Sequence, residues 1–301
     1  MIYNNILDMI GNTPSIKLNK ISNINKNMLY AKLEKQNPGG SSKDRISCYI
    51  IRNLINNKKI NKETVIIEAT SGNTGIGLAM VCAYFNLKLI VVMCETASVE
   101  RIKILEAYGA VVILTKKSEG IEGAIKKAII LSKQINNSYY IDQFNNNDNM
   151  RCHYDETANE IITDFKGNLD YIFVGMGSCG TIMGIAKKLK EQKNVKIIGI
   201  EPCKCPYYSK GEKGDYSIPG IGSTFIPGFY DKSLIDEIVC VDDDQARYWM
   251  YQTMQLEGIS LGISSGAVVA GTMSYIKENE LTNKNILMLF PDSIEKYLSI
   301  L

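Results

Sequence analysis

The stretch Val65-Ile66-Ile67-Glu68-Ala69-Thr70-Ser71-Gly72-Asn73-Thr74-Gly75-Ile76-Gly77-Leu78-Ala79 changes its period part-way along. Val65 to Glu68 is a short run rich in β-branched residues and reads as a strand. Small polar residues follow, and an apolar segment from about Thr74 to Phe85 then reads as a helix. A strand that turns directly into a helix is the first half of a βαβ unit. The same alternation continues downstream: strand Leu89 to Met93, helix Ser98 to Tyr108, strand Val111 to Leu114, helix 120–134, strand Tyr139 to Phe144. After the polar run Asn145-Asn146-Asn147-Asp148-Asn149 it resumes with strand Tyr171 to Val174, helix Thr181 to Lys190, strand Lys196 to Ile200 and a last strand, Ile286 to Phe290. Strands spaced by helices of this length predict parallel sheets covered on both faces. The expected fold is α/β, with two α/β domains divided near residue 145 and no internal repeat. The Asn-rich patches and the charge run Lys187 to Lys193 read as solvated surface.

Composition sets limits on function. The chain has 301 residues, 45% hydrophobic and 22% charged, with a net charge of +2. It can bury a sizeable core, and no charge excess points to nucleic acid or membrane. His153 is the only histidine; a multi-histidine metal site is excluded, while a Ser-His-Asp triad could still use it. The eight cysteines, Cys48, Cys82, Cys94, Cys152, Cys179, Cys203, Cys205 and Cys240, form no C-x-x-C pair and read as free thiols in a reducing cytosol. Cys203 and Cys205, beside Pro206, leave a metal or redox pairing open. The start of the chain has no basic segment before an apolar run, and no stretch approaches the roughly 18 apolar residues of a membrane span. A cytoplasmic protein is expected.

In open parallel sheets ligands bind beyond the carboxyl ends of strands, so the loops there carry the chemistry. Thr70 to Gly75 offers hydroxyls, an amide and helix-start N–H groups, a cradle for a carboxylate or phosphate; ordinary helix capping uses the same residues. Gly175-Met176-Gly177-Ser178-Cys179-Gly180-Thr181 satisfies G-x-G-x-x-G, and Glu201 follows Gly180 by about 20 residues, as in a dinucleotide-binding fingerprint. Its physical content is narrower: exposed amides and a helix dipole aimed at some phosphate. Gly262-Ile263-Ser264-Ser265-Gly266-Ala267 opens another helix and is compatible with a plain cap. In Asn37-Pro38-Gly39-Gly40-Ser41-Ser42-Lys43-Asp44-Arg45, Lys43 stands at a helix start without the spacing of a nucleotide-binding P-loop. The positive end of the helix dipole disfavours its ammonium form, and a neutral amine is what Schiff-base chemistry requires; a surface lysine fits the same pattern.

Taken together, in order and spacing, these segments resemble the cysteine synthase (O-acetylserine sulfhydrylase) family, with cystathionine β-synthases as near relations. The resemblance runs nearly end to end: Ile10-Gly11-Asn12-Thr13-Pro14, Lys43, Thr70 to Ala79, Glu95-Thr96-Ala97-Ser98-Val99-Glu100-Arg101, and Gln143-Phe144. It implies the tryptophan-synthase-β-like fold of type II pyridoxal-phosphate enzymes, two three-layer α/β/α domains with mostly parallel sheets. A smaller domain with a mobile lid would span 40–145, and a larger one 1–39 and 146–301. It implies pyridoxal 5'-phosphate as cofactor, no metal, and a small amino-acid substrate. Lys43 would bind the cofactor and act as the catalytic base. Asn73 would meet the ring hydroxyl, Gly177, Ser178, Cys179, Gly180 and Thr181 the phosphate, and Ser264 the pyridine nitrogen. Thr70, Ser71, Gly72, Asn73, Thr74 and Gln143 would grip the substrate carboxylate. A homodimer is implied, and a serine acetyltransferase tail is an implied partner if the chain is a true cysteine synthase.

The chain departs from the family pattern at informative places. Ser178-Cys179 replaces the usual Thr-Gly, Cys94 a usual proline, and Glu156 and Ala158 a usual threonine and glycine. In Gly220-Ile221-Gly222-Ser223-Thr224-Phe225-Ile226-Pro227, Ser223-Thr224 stands where synthases usually carry Ala-Gly and cystathionine β-synthases Tyr-Asp. Gly222, Ser223 and Thr224 are therefore expected to border the substrate, with two added hydroxyls to orient a polar second substrate or shape the leaving-group site. No haem-binding extension or C-terminal regulatory domain is expected. The expectation is a lyase or transferase that consumes L-cysteine and releases hydrogen sulfide through an aminoacrylate, with water or a second cysteine, giving lanthionine, as acceptor. The alternative is cysteine synthesis from O-acetylserine and sulfide. His153 is expected at a conventional helix position, with a structural role.

Overall fold

The computed structural model describes residues 2–21, 25–192 and 195–300. In chain order the elements are β1 (Ser15–Leu18), β2 (Met28–Leu33), α1 (Lys43–Asn56), β3 (Val65–Ala69), α2 (Asn73–Phe85), β4 (Lys88–Cys94), α3 (Val99–Ala107), β5 (Val111–Thr115), α4 (Gly120–Gln134), β6 (Ser138–Tyr140) and α5 (Asn147–Cys152). They continue with a π-helical turn (His153–Thr157), α6 (Ala158–Phe165), β7 (Tyr171–Gly175), α7 (Gly180–Gln192), β8 (Lys196–Pro202), α8 (Tyr207–Lys210), β9 (Glu237–Val241), α9 (Asp243–Glu257), α10 (Ile263–Glu278) and β10 (Asn285–Phe290). The chain divides into two compact units. The first holds Met1–Ile10, Asn37–Asn149 and Ser299–Leu301; the second holds Gly11–Gln36 and Met150–Leu298. The first ten residues, expected with the larger domain, group with the first unit, because Leu7 packs into a core with Cys48, Ile50 and Leu54 of α1.

The sheet of the first unit is wholly parallel, in the order β5-β4-β3-β6. Side chains alternate across a strand, so neighbouring residues serve opposite faces. Ile66 and Val91 pack with Ile50, Leu54, Leu78 and Val81 of α1 and α2. Ile67 and Val92 pack with Ala124 and Ala128 of α4. Burial on both faces accounts for strands that read as continuous apolar runs. The expected strand over 139–144 stops at Tyr140, because Asp142 adopts a left-handed backbone (φ 51°) that no ladder tolerates. Gln143 is therefore a loop residue just past the strand end.

The second unit has six strands in the order β1-β2-β10-β7-β8-β9, parallel except for β1 against β2. Phe173, Ile198 and Met288 face α9 and α10, where they meet Met250, Val268 and Ile276. Ile172, Val174, Ile197 and Leu287 face the other way, onto Ile161 of α6 and Ile182 and Ile185 of α7. Each fully buried aliphatic side chain of such layers contributes roughly 1.5–3 kcal/mol. Both units are thus three-layer α/β/α sandwiches. Among the described residues no helix is long and apolar enough to cross a membrane.

Candidate active site

In the first unit, Lys43 is the first residue of α1. The turn before it is closed by hydrogen bonds that include Gly39 N–H to Asp44 Oδ2 (2.6 Å), Gly40 N–H to the Asn37 carbonyl (2.8 Å) and Lys43 N–H to Ser41 Oγ (3.2 Å). A Cβ on Gly39 would lie 2.6 Å from the same carboxylate, so glycine is required there. Ser47 Oγ donates to the Lys43 carbonyl (2.8 Å), and a Cβ on Gly77 of α2 would lie 2.7 Å from Ser47 Oγ and 2.9 Å from that carbonyl. Gly77 thereby lets α2 close on α1, and the two helix starts that carry Lys43 and Asn73 sit on neighbouring helices.

The loop between β3 and α2 leads from a buried strand to a helix of 13 residues with Gly72 at its cap. Thr70 N–H donates to the Val92 carbonyl (2.9 Å), and Thr70 Oγ1 accepts from Gly72 N–H (3.1 Å). Arg101, the arginine of the Glu95 to Arg101 motif, donates through Nη1 to the Ser71 carbonyl (3.0 Å). Thr74 Oγ1 donates to Gln143 Oε1 (2.8 Å), Gln143 Nε2 donates to Glu68 Oε1 (2.9 Å), and Asn149 Nδ2 donates to the Gln143 carbonyl (2.8 Å). Thr70, Thr74, Gln143, Asn149 and Glu68 are all buried. Burial pushes the Glu68 carboxyl up to about 8, against the hydrogen bond from Gln143 and helped by the charge of Asp142. A loop that ends in a helix N-terminus offers backbone N–H groups and a positive dipole end to an anion. Glu68 is the residue that sequence reading missed; the signal was a carboxylate inside an otherwise apolar strand, two residues before Thr70.

In the second unit, the turn between β7 and α7 is built from backbone. Met176 N–H donates to the Ile200 carbonyl (2.8 Å) and Gly222 N–H to the Met176 carbonyl (2.7 Å). Tyr208 Oη donates to the Gly177 carbonyl (2.6 Å). A Cβ on Gly177 would collide with the Gly220 carbonyl and one on Gly175 with the Ile221 side chain, so the 175–180 turn needs its glycines for the 220–222 loop to lie against it. Cys179 takes a left-handed conformation (φ 62°), the conformation glycine adopts without strain. Thr181, at the start of α7, shares a hydrogen bond with His153 Nε2 (3.1 Å), and His153 Nδ1 shares one with Thr157 Oγ1 (2.9 Å). The single histidine is fully buried between two threonine hydroxyls. It lies in the π-helical turn rather than in regular α-helix.

Two expectations change here. Glu201, which completes the dinucleotide fingerprint by spacing, accepts from Tyr208 N–H (2.9 Å), Ser209 N–H (3.2 Å) and the Ser209 hydroxyl. It caps α8 and is fully buried, which leaves no carboxylate for a ribose. Ser223 Oγ donates to the Phe225 carbonyl (2.6 Å) and accepts from Phe225 N–H (3.3 Å), so its hydroxyl is turned onto its own loop. Thr224 is half-buried. Cys203 and Cys205 do not face one another: Cys205 Sγ donates to the Ser223 carbonyl (3.4 Å), while Cys203 meets Cys240. Ser264 is buried in the first turn of α10, whose cap Gly262 donates its N–H to the Asp292 carbonyl (3.2 Å). Asp292 is held in turn by the Tyr297 hydroxyl.

The family model for pyridoxal-phosphate dependent enzymes matches residues 6–292. A cysteine synthase of Flavobacterium sp. is 41% identical over 290 residues, 96% of this chain and 94% of that protein. A crystal structure of a hydrogen sulfide-producing enzyme from Fusobacterium nucleatum superposes with a TM-score of 0.95 at 44% identity, covering 99% of this chain and 100% of the other. The O-acetylserine dependent cystathionine β-synthase of Helicobacter pylori superposes at 0.92 with 40% identity, covering 99% and 98%. The chain belongs to the cysteine synthase family of pyridoxal-phosphate dependent enzymes.

Each unit by itself carries groups of the kind that cofactor needs. An amine stands at the start of α1, a helix N-terminus of 13 residues follows the Gly175–Gly180 turn, and a serine rather than an acid stands in the first turn of α10. Ser178-Cys179 is the departure that sequence reading flagged in the turn expected to meet the phosphate. The groups that turn offers an anion are backbone N–H groups, which the substitution leaves in place.

Proposed function

We propose that this cysteine synthase family enzyme consumes L-cysteine and releases hydrogen sulfide, with a second cysteine, giving lanthionine, or water as acceptor. The observation that carries the reading is the likeness to the hydrogen sulfide-producing enzyme, 44% identical over 99% of the chain. Lys43 binds the cofactor, Asn73 meets its ring hydroxyl, Gly177, Ser178, Cys179, Gly180 and Thr181 hold its phosphate, and Ser264 faces its pyridine nitrogen. When bound, the cofactor supplies the electron sink for the carbanion at Cα. Thr70, Ser71, Gly72, Asn73, Thr74 and Gln143 hold the substrate carboxylate at the N-terminus of α2, which orients the Cα–H bond for the base. The Lys43 amine removes the Cα proton, and the Cβ–S electron pair leaves with hydrosulfide. The acceptor then bonds to Cβ, its own proton going to hydrosulfide to give hydrogen sulfide, and Lys43 returns a proton to Cα. The Ser264 hydroxyl does not keep the pyridine nitrogen protonated as a carboxylate would, which favours loss of the β-substituent over transamination. Gly222, Ser223 and Thr224 border the acceptor side; with the Ser223 hydroxyl turned inward, Thr224 is left as the side chain to meet the acceptor. A cytoplasmic homodimer is proposed on the family likeness.

A second reading, cysteine synthesis from O-acetylserine and sulfide with a serine acetyltransferase tail as partner, is supported by the 41% identical cysteine synthase. Incubation with L-cysteine alone separates the two. Sulfide release with lanthionine or serine as product supports the first. Absence of sulfide, with rapid cysteine formation from O-acetylserine and sulfide, supports the second.

A further inference from the structure

Glu68 is fully buried at the last turn of sheet before the Thr70 to Gly75 loop. A buried carboxyl lowers stability unless its hydrogen bonds offset its desolvation. Among the described residues the only side chain that hydrogen-bonds the Glu68 carboxyl is Gln143, through Nε2 to Oε1 at 2.9 Å; the backbone N–H groups of Asp142 and Gln143 also stabilise it. An apolar residue of that size would serve the core better, so the group is explained by what it does to the Asp142–Gln143 segment, and to the Gln143 amide above all. A primary amide has two faces, a carbonyl that accepts and an NH₂ that donates twice. Thr74 Oγ1 donates to the carbonyl at 2.8 Å, and Glu68 accepts from the NH₂. Both ends of the amide are thus engaged, and a flip would require the Thr74 hydroxyl to turn from donor to acceptor and the Glu68 carboxyl from acceptor to donor together. One N–H of Gln143 remains as a donor. The neighbouring ionisable groups are Asp142 and Tyr140, both of which interact electrostatically with Glu68.

We propose that Glu68 is a positioning residue that locks the Gln143 amide with its second N–H presented to the α-carboxylate of the amino-acid substrate. The inference rests on the assignment of Gln143 to that carboxylate. It does not depend on whether cysteine is made or consumed, since either substrate carries the same group.

Three variants of the holoenzyme test it, read by calorimetric titration with L-alanine, which has the carboxylate but no β-leaving group, and with L-alaninamide, which lacks the charge. Glu68→Met removes the acceptor, Glu68→Asp withdraws it by one methylene, and Glu68→Gln keeps an acceptor in place. The account expects L-alanine binding to weaken at least about tenfold in the Met and Asp variants and to stay within about threefold of wild type in the Gln variant. Alaninamide binding should be unmoved, so selectivity for the carboxylate collapses. In turnover the Met and Asp variants should raise KM with kcat little changed. If Glu68→Met does not fold, the Asp and Gln pair decides alone. Equal L-alanine affinity in Glu68→Asp and wild type, or equal losses for alanine and alaninamide, would overturn the proposal. Failure of the cysteine-consumption reading would show instead in the sulfide assay and leave these titrations unchanged.

Discussion

Two turns of this molecule have the same plan and opposite construction. Thr70 to Gly75 in the first unit and Gly175 to Thr181 in the second each lead from a parallel strand into a helix of 13 residues. The first is held by side chains: Thr74, Gln143 and Glu68 in series, Thr70 on Gly72, Arg101 on Ser71. The second is held largely by backbone, through Met176, Gly177, Gly220 and Gly222, with the Tyr208 hydroxyl and the Cys179 thiol both on the Gly177 carbonyl. A turn made of side chains has no spare positions, and here the family pattern runs unbroken from Thr70 to Ala79. A turn made of backbone restricts only conformation, and here Ser178-Cys179 has entered at the cost of a left-handed cysteine.

The largest expected effect lies beside the first turn. Lys43→Ala should lower turnover by at least about a thousandfold and abolish the visible absorption band of the lysine-bound cofactor. Residual turnover within tenfold of wild type would break the account of the first unit. Next, Gln143→Leu should raise KM for the amino acid about tenfold or more, because it removes the amide N–H proposed to meet the substrate carboxylate; steady-state kinetics read this directly.

The third effect is on stability. Glu68 has a raised carboxyl, about 8 in the fold against 4.5 unperturbed. The fold therefore holds a proton that the unfolded chain loses, and this contribution is present at low pH and declines as pH rises towards 8. Glu68→Met should remove that decline, gaining on wild type by up to about 1.4 kcal/mol per pH unit between about pH 5 and 8 and by nothing further above it. Denaturant melts across that range test the slope.

The smallest effect belongs to the backbone turn. Cys179→Gly relieves a left-handed residue but gives up a buried thiol and its bond to the Gly177 carbonyl and loosens the unfolded chain, so a change in stability within about 1 kcal/mol is expected, with activity nearly unchanged. A thermal melt reads it, and a larger loss of stability would show that the cysteine is held by packing rather than tolerated.

Much of this was legible in the residues. Apolar runs buried on both faces, small polar turns and helical periods are local properties, and they specified the two sandwiches and the loops at their strand ends. What escaped depended on three-dimensional neighbours. Glu201 has the spacing of a ribose ligand, yet the chain returns at Tyr207–Lys210 and uses it as a helix cap. The end of β6 was misplaced because nothing in Tyr139 to Phe144 announces that Asp142 turns left-handed. Ser223 could be seen as a departure, but the direction of its hydroxyl could not. Glu68 looked like any polar residue in a strand until its full burial and its bond to Gln143 were visible.

The central claim, that the enzyme breaks the Cβ–S bond of L-cysteine, is tested most directly by supplying cysteine labelled with carbon-13 at Cβ as sole substrate. Nuclear magnetic resonance then follows the label. The account predicts that it moves into the carbons flanking the sulfur of lanthionine, or into the hydroxymethyl carbon of serine, in step with sulfide release. Label that stays in cysteine while the same protein makes cysteine from O-acetylserine and sulfide would contradict it.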